Sequence, residues 1–198
     1  MQGRWFFLLY SDFFNIEGNL IGGKHSSTGV ISLTCLNLPL HIRNDPAYTY
    51  VAGIIQGPHE PSAENAQHRQ YARPLVDDLL AGYTRGITCA TTHRVGTGTE
   101  GAGYKRVEKV VIAGQVMDLK CARPTVGLMD VNSHTPCFTC KLWHRSNLLN
   151  IHFKWGNADD GFLRRGAEAW LKARTYSERS SIEKRYGTRY SEFWRLPY

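Results

Sequence analysis

Three groups of side chains have the types and spacing for chemistry. Asp12 follows directly on the apolar run Trp5 to Tyr10, and Asp118 ends the run Val107 to Met117. A carboxylate at the end of a core strand is a common way to hold a catalytic cation, because the strand fixes the backbone while the oxygens face outward. The third group is Cys137-Phe138-Thr139-Cys140. Two thiolates at this spacing can grip one Zn²⁺ from a tight turn, which Pro136 would support. His144 and His152 are the nearest downstream ligands for such an ion, with His134 and Cys121 upstream. The alternative for the pair is two reduced cysteines packed in a loop as small apolar groups.

Other acidic and glycine-rich stretches do not carry chemistry. Asp77 and Asp78 are adjacent on a helix, so they point in different directions and read as a solvated face. Gly96, Gly98 and Gly101 match G-x-G-x-x-G, but a strand rather than a helix follows, which excludes a dinucleotide site. Tyr104 stands where a phosphate-binding loop needs Lys, and the stretch reads as a loop.

The elements that must position these groups follow from pattern. Trp5 to Tyr10, Gly29 to Leu38, Tyr50 to Ile55, Thr84 to Cys89 and Val107 to Met117 read as strands. Asn15 to Asn19 reads as a turn, and His41 to Tyr50 contains a loop. Ser62 to Gly82 reads as a helix capped by Ser62, with Leu75, Val76, Leu79 and Leu80 on its apolar face and Pro74 kinking or dividing it. Asp159 to Arg174 reads as an amphipathic helix with Phe162, Leu163, Ala167, Trp170 and Leu171 inward. Ser177 to Tyr186 reads as a second helix, capped by Ser177 and stopped by Gly187.

The 198 residues suffice for one domain, and the composition, 42% hydrophobic and 21% charged, is that of a globular chain. No apolar run approaches the roughly 18 residues of a membrane span, and the N-terminus lacks a signal-peptide pattern. Five cysteines, scattered apart from one pair, argue for a reducing intracellular compartment. The net charge of +7 permits an anionic partner. It is concentrated from Lys141 to Tyr198, where 12 Lys and Arg face 6 Asp and Glu.

Several strings, in order, resemble the catalytic region of fungal DDE transposases of the Plavaka and Kyakuja-Dileera-Zisupton type, relatives of the CACTA transposases. They are Leu9-Tyr10-Ser11-Asp12-Phe13-Phe14-Asn15, Cys35-Leu36-Asn37-Leu38-Pro39, Pro74-Leu75-Val76-Asp77-Asp78-Leu79, Asp118-Leu119 with the downstream Cys137 and Cys140, and Gly187-Thr188-Arg189-Tyr190-Ser191. Lys120 departs from the family pattern, which has Pro there. The resemblance implies an α/β fold with a partial RNase H-like core, a Cys-x-x-Cys insertion and C-terminal helices. The core would cover 6–140 with the first two acids and the Cys pair, followed by a basic helical part over 141–198, in one partial catalytic domain. It implies Asp12 and Asp118 as catalytic acids holding Mg²⁺ or Mn²⁺, DNA as partner, cleavage and strand transfer as reactions, and a nuclear location. No string matches the family's third acid: Glu168, Glu178, Glu183, Glu192, Asp159 and Asp160 are the acids available. The expectation is therefore a transposase fragment, inactive alone. The alternative is a non-catalytic DNA-binding or interaction module stabilised by zinc on Cys137, Cys140, His144 and His152.

Overall fold

The computed structural model describes residues 3–15, 27–56, 68–89, 106–150 and 152–198. It is a mixed α/β protein. The chain divides into two compact units, one of Met1–Pro58 with Pro74–Met117, the other of His59–Arg73 with Asp118–Tyr198.

The first unit is built on a five-stranded sheet among the described residues: β1 (Gly3–Asn15), β2 (Ser27–Cys35), β3 (Thr49–Ile55), β4 (Ile87–Cys89) and β5 (Arg106–Val116). The spatial order is β3-β2-β1-β5-β4. β1, β2 and β3 form an antiparallel meander, β5 lies parallel to β1, and β4 is antiparallel to β5. Side chains alternate across a sheet, and the ladder makes this alternation one apolar face. Leu9 stands opposite Leu33, Ser11 opposite Ile31, Phe7 opposite Cys35 and Trp5 opposite Val110. Leu9, Leu33, Ile31, Cys35 and Val110 are all buried.

Two strands differ from their sequence reading in ways that the pairing and the chain next to it explain. β1 runs on to Asn15 because β2 continues to pair with it through Ser27. Asp12 therefore lies within β1, opposite Val30, rather than past its end. β2 stops at Cys35, not Leu38, because the next residues turn back to close the end of the ladder. Leu36 N donates to Phe6 O at 2.7 Å, Asn37 Oδ1 accepts from Phe6 N at 2.8 Å, and Asn37 Nδ2 donates to Arg4 O at 3.1 Å. The Arg43 guanidinium then takes the Leu36 and Leu38 carbonyls at 2.6 and 2.9 Å. The segment read as a loop after Pro39 contains a short helix, α1 (Leu40–Arg43), and a 3-10 turn at Pro46–Tyr48.

Helix α2 (His68–Thr84) keeps Pro74 inside it without ending. Its buried residues, Ala72, Leu75, Val76 and Leu79, recur at helical spacing. Gly82 lets the helix approach the sheet: a Cβ there would stand 3.1 Å from Val110. Asp77 and Asp78 are exposed, as the sequence predicts. The expected turn at 16–19, the Ser62 cap and the glycine-rich stretch 96–103 lie outside the described residues.

The second unit contains α3 (Leu119–Thr125), α4 (Asp160–Lys172) and α5 (Tyr176–Tyr186), with a 3-10 turn at Glu192–Arg195. Asp159 caps α4, accepting from Phe162 N at 2.7 Å. Leu163, Ala167 and Trp170 of α4 are buried, whereas Leu171, also expected inward, is 44% exposed. It falls off the stripe set by residues 163, 167 and 170. The cap of α5 is Thr175, not Ser177, because Glu178 three residues on completes a capping box with it. Gly187 stops α5 in the left-handed region at φ 69°, as the sequence predicts. No helix is long and apolar enough to cross a membrane, among the described residues.

Candidate functional site

Asp12 and Asp118 occupy different local settings. Asp12 is exposed on the sheet face opposite Leu9 and Ser11, and its Oδ1 accepts from Phe13 N at 2.8 Å. Its strand neighbour β5 is parallel, and the last pair of that ladder is Tyr10 with Val116. Asp12 and Asp118 each follow that pair by two residues. Asp118 is exposed and caps α3, with Oδ1 accepting from Cys121 N at 2.6 Å. Asp12 belongs to the sheet unit and Asp118 to the helical unit. Carboxylate oxygens suit a hard divalent cation.

The Cys137–Cys140 turn is held from both sides. Upstream, the buried Arg123 guanidinium donates to Met129 O at 2.5 Å and to Pro136 O at 2.8 Å, which fixes the residue before Cys137. Downstream, Lys141 N donates to Gly156 O at 2.8 Å and Ala158 N to Thr139 O at 3.0 Å, around an antiparallel bridge between Cys140 and Asn157. Cys137 Sγ and Thr139 Oγ1 lie 3.1 Å apart. Burial works against the Cys137 thiolate, but hydrogen bonds from the side chains and backbone of Thr139 and Cys140 outweigh it and bring the thiol down to about 7. Burial, then the hydrogen bond and charge of Cys137, push Cys140 the other way.

The histidines expected to complete a zinc site are engaged differently. The His144 ring lies edge-on to His134 with centroids 4.9 Å apart, and His144 N donates to His134 O at 2.7 Å. His152 is exposed. Among the described residues, no group of three or more His, Cys, Asp or Glu side chains stands where it could hold a metal ion. Among the described residues the two thiols supply two of the four donors that a closed structural zinc site needs.

The available acids are mostly committed. Glu183 accepts from Arg189 Nε at 2.9 Å and from Trp170 Nε1 at 2.9 Å. Glu192 is buried between Arg73 at 3.1 Å and Arg195 at 2.9 Å. Glu178 accepts from the backbone N–H groups of Arg174 and Thr175, which hold it below the usual carboxylate range. Glu168 is exposed on α4. The closing Gly-Thr-Arg-Tyr-Ser string is likewise internal: Thr188 and Ser191 are buried, Ser191 Oγ donates to Thr125 O at 2.6 Å, and Arg189 belongs to Glu183.

Cys137 and Cys140 themselves line a cleft of about 500 Å³ that sequence reasoning did not single out. Lys141, Trp143 and Phe162 line it with Ser181, Lys184, Arg185 and Tyr186. The signal available in the sequence was the spacing of Ser181, Lys184 and Arg185 on one face of α5, within the basic C-terminal third.

No protein-family model matches the chain, and a search of curated proteins finds no relative.

Proposed function

We propose that this chain carries the first two acids, Asp12 and Asp118, of a metal-dependent phosphodiester-cleaving centre of the DDE transposase type, on an RNase H-like sheet. The observation that supports this reading is the parallel pairing of β1 with β5 beside an antiparallel meander, each acid following the final pair Tyr10–Val116 by two residues. An RNase H-like core presents its first two acids from adjacent strands in this way. Asp12 and Asp118 would hold Mg²⁺ or Mn²⁺, and a bound metal pair supplies charge stabilisation for the attacking and leaving oxygens. The chain's own part is to fix the two carboxylates: β2 pairs with β1 across Asp12, and the cap of α3 orients Asp118. DNA is the substrate class of this reading, and the nucleus the place where such chemistry would act.

A third acid is required, because two carboxylates neutralise a close metal pair poorly. Glu178, Glu183 and Glu192 are held by structural partners. The expected result with purified chain, end-labelled DNA and Mg²⁺ or Mn²⁺ is therefore no cleavage. Cleavage that Asp12→Asn or Asp118→Asn abolishes would show that the centre is complete. The commitment of these acids also favours a second reading, DNA binding without cleavage. Salt-dependent binding that survives both substitutions supports that reading; absence of any DNA affinity removes both.

A further inference from the structure

Several cations of the helical unit are held inside it, and three others gather in one place. Arg73, Arg189 and Arg195 face carboxylates, and Arg123 and Arg164 donate to backbone carbonyls. Lys141, Lys184 and Arg185 converge on the cleft and, among the described residues, form no ion pair and have no Asp or Glu beside them in its lining, where Cys137 and Cys140 are the groups that can carry negative charge. Lys184 and Arg185 oppose the α5 dipole, but that need does not call for Lys141, which comes from a separate segment. Three like charges gathered in one cleft lower the energy of an anion placed among them.

The cleft is aromatic as well as basic. The Phe162 and Tyr186 rings meet at a tilt of 39° with centroids 4.9 Å apart. Lys141 Nζ sits 4.7 Å from the Phe162 ring centre, and the Arg185 guanidinium 5.4 Å from that of Tyr186. Trp143 lines the same space. A simple inorganic anion would use the cations and leave the rings idle. A planar base bearing phosphate uses both, stacking on an aromatic face while cations meet the phosphate. The volume falls within the roughly 300–1,000 Å³ of small-molecule sites.

We propose that the cleft formed by Lys141, Phe162, Lys184, Arg185 and Tyr186 binds a single nucleotide unit, a base with its phosphate. The unit comes either from a free nucleoside phosphate or from a single strand of nucleic acid. The site lies within one unit and uses neither Asp12 nor Asp118, so it stands apart from the cleavage reading.

The test measures fluorescence anisotropy of the full chain with a labelled oligothymidylate and with a labelled adenosine triphosphate. Lys184→Glu combined with Arg185→Glu should weaken binding by at least about tenfold, and reduce the salt slope of log K by about 0.7 for the one phosphate held on a single strand. Phe162→Leu should weaken binding by about fivefold or more through lost stacking. Lys141→Glu, on a different segment, repeats the charge test without touching α5, and circular dichroism reports folding of every variant. Binding of the free nucleotide assigns a nucleoside phosphate; binding of the oligonucleotide alone assigns a strand. Undiminished affinity in folded charge-reversed variants overturns the proposal. So does displacement by inorganic phosphate or heparin that matches the nucleotide while Phe162→Leu has no effect. Loss of binding in Asp12→Asn would place the ligand elsewhere and overturn it too.

Discussion

In the sheet unit the backbone is ordered by ladders, and the side chains that matter are apolar: Leu9, Leu33, Ile31 and Val110 on the sheet, Leu75, Val76 and Leu79 on α2. In the helical unit much of the backbone outside the helices has no ladder, and side chains take up some of its hydrogen bonds. Arg123 gathers Met129 and Pro136, Ser191 reaches Thr125, and Arg164 reaches the Trp194 and Leu196 carbonyls. Buried backbone polar groups must find partners, and where strands do not provide them, long cationic side chains do. The difference teaches how to read charge in this protein. A basic excess in the last third of the chain is not in itself a binding surface, because part of it is spent inside the unit: Arg164 on carbonyls, Arg189 on Glu183 and Arg195 on Glu192. The informative cations are those that converge on one cleft, Lys141, Lys184 and Arg185.

The sharpest break of this comparison removes one apolar anchor from each unit. Trp170 is 2% exposed, its Nε1 bonds Glu183, and the Arg179 guanidinium covers its ring at 4.6 Å. Trp170→Ala should cost about 3–5 kcal/mol, and Leu79→Ala about 2–5 kcal/mol, both read by chemical denaturation. Hydrogen exchange then assigns each loss. Trp170→Ala should expose amides of α4 and α5 first, and Leu79→Ala those of α2 and the sheet. Equal exposure everywhere in both variants would mean that the two units unfold as one cooperative body.

The same contrast explains how much was legible in the sequence. Apolar runs and helical spacing located the strands of the sheet among the described residues and α2 and α4, the two helices burying faces whose period is written in their apolar residues. α5 has no buried residue, and its stop signal at Gly187 located it instead. Boundaries failed where a partner decided them. Pairing with β2 carried β1 past Asp12, and the Asn37 amide ended β2. The Thr175 cap was legible from Glu178 at the third position but lost to the nearer Ser177. The cleft was not legible, since it joins Lys141, a loop residue, to α4 and α5 through contacts with no sequence period. Nor could spacing show that His144 would turn its ring on His134.

Asp118 separates a structural from a chemical role by about 1 kcal/mol. As the cap of α3 it satisfies Cys121 N, and Asn is as good a cap as Asp while Ala is not. Asp118→Ala should lower stability by about 0.5–2 kcal/mol, and Asp118→Asn by little. If divalent-cation affinity, read by isothermal titration, falls equally in both variants, the carboxylate charge is what the cation needs. A loss confined to Asp118→Ala would reduce Asp118 to a cap.

The smallest effect concerns Cys137, which the loop of the helical unit leaves partly exposed. Cys35 is buried on the sheet face, and Cys121 is buried in α3. Cys137 is partly exposed, with its thiol at about 7. A lowered thiol value means more thiolate at neutral pH, so iodoacetamide should label Cys137 ahead of Cys35 and Cys121, with a rate that rises as pH climbs through about 7. At pH 7 the larger thiolate fraction outweighs the lower nucleophilicity of a weaker base, giving a gain of about sixfold over an ordinary thiol. Cys140→Ala removes one of the donors that favour the thiolate and should move the inflection upward. Peptide mapping of the alkylated chain checks both statements. An inflection unmoved by Cys140→Ala would leave Thr139 as the donor that matters.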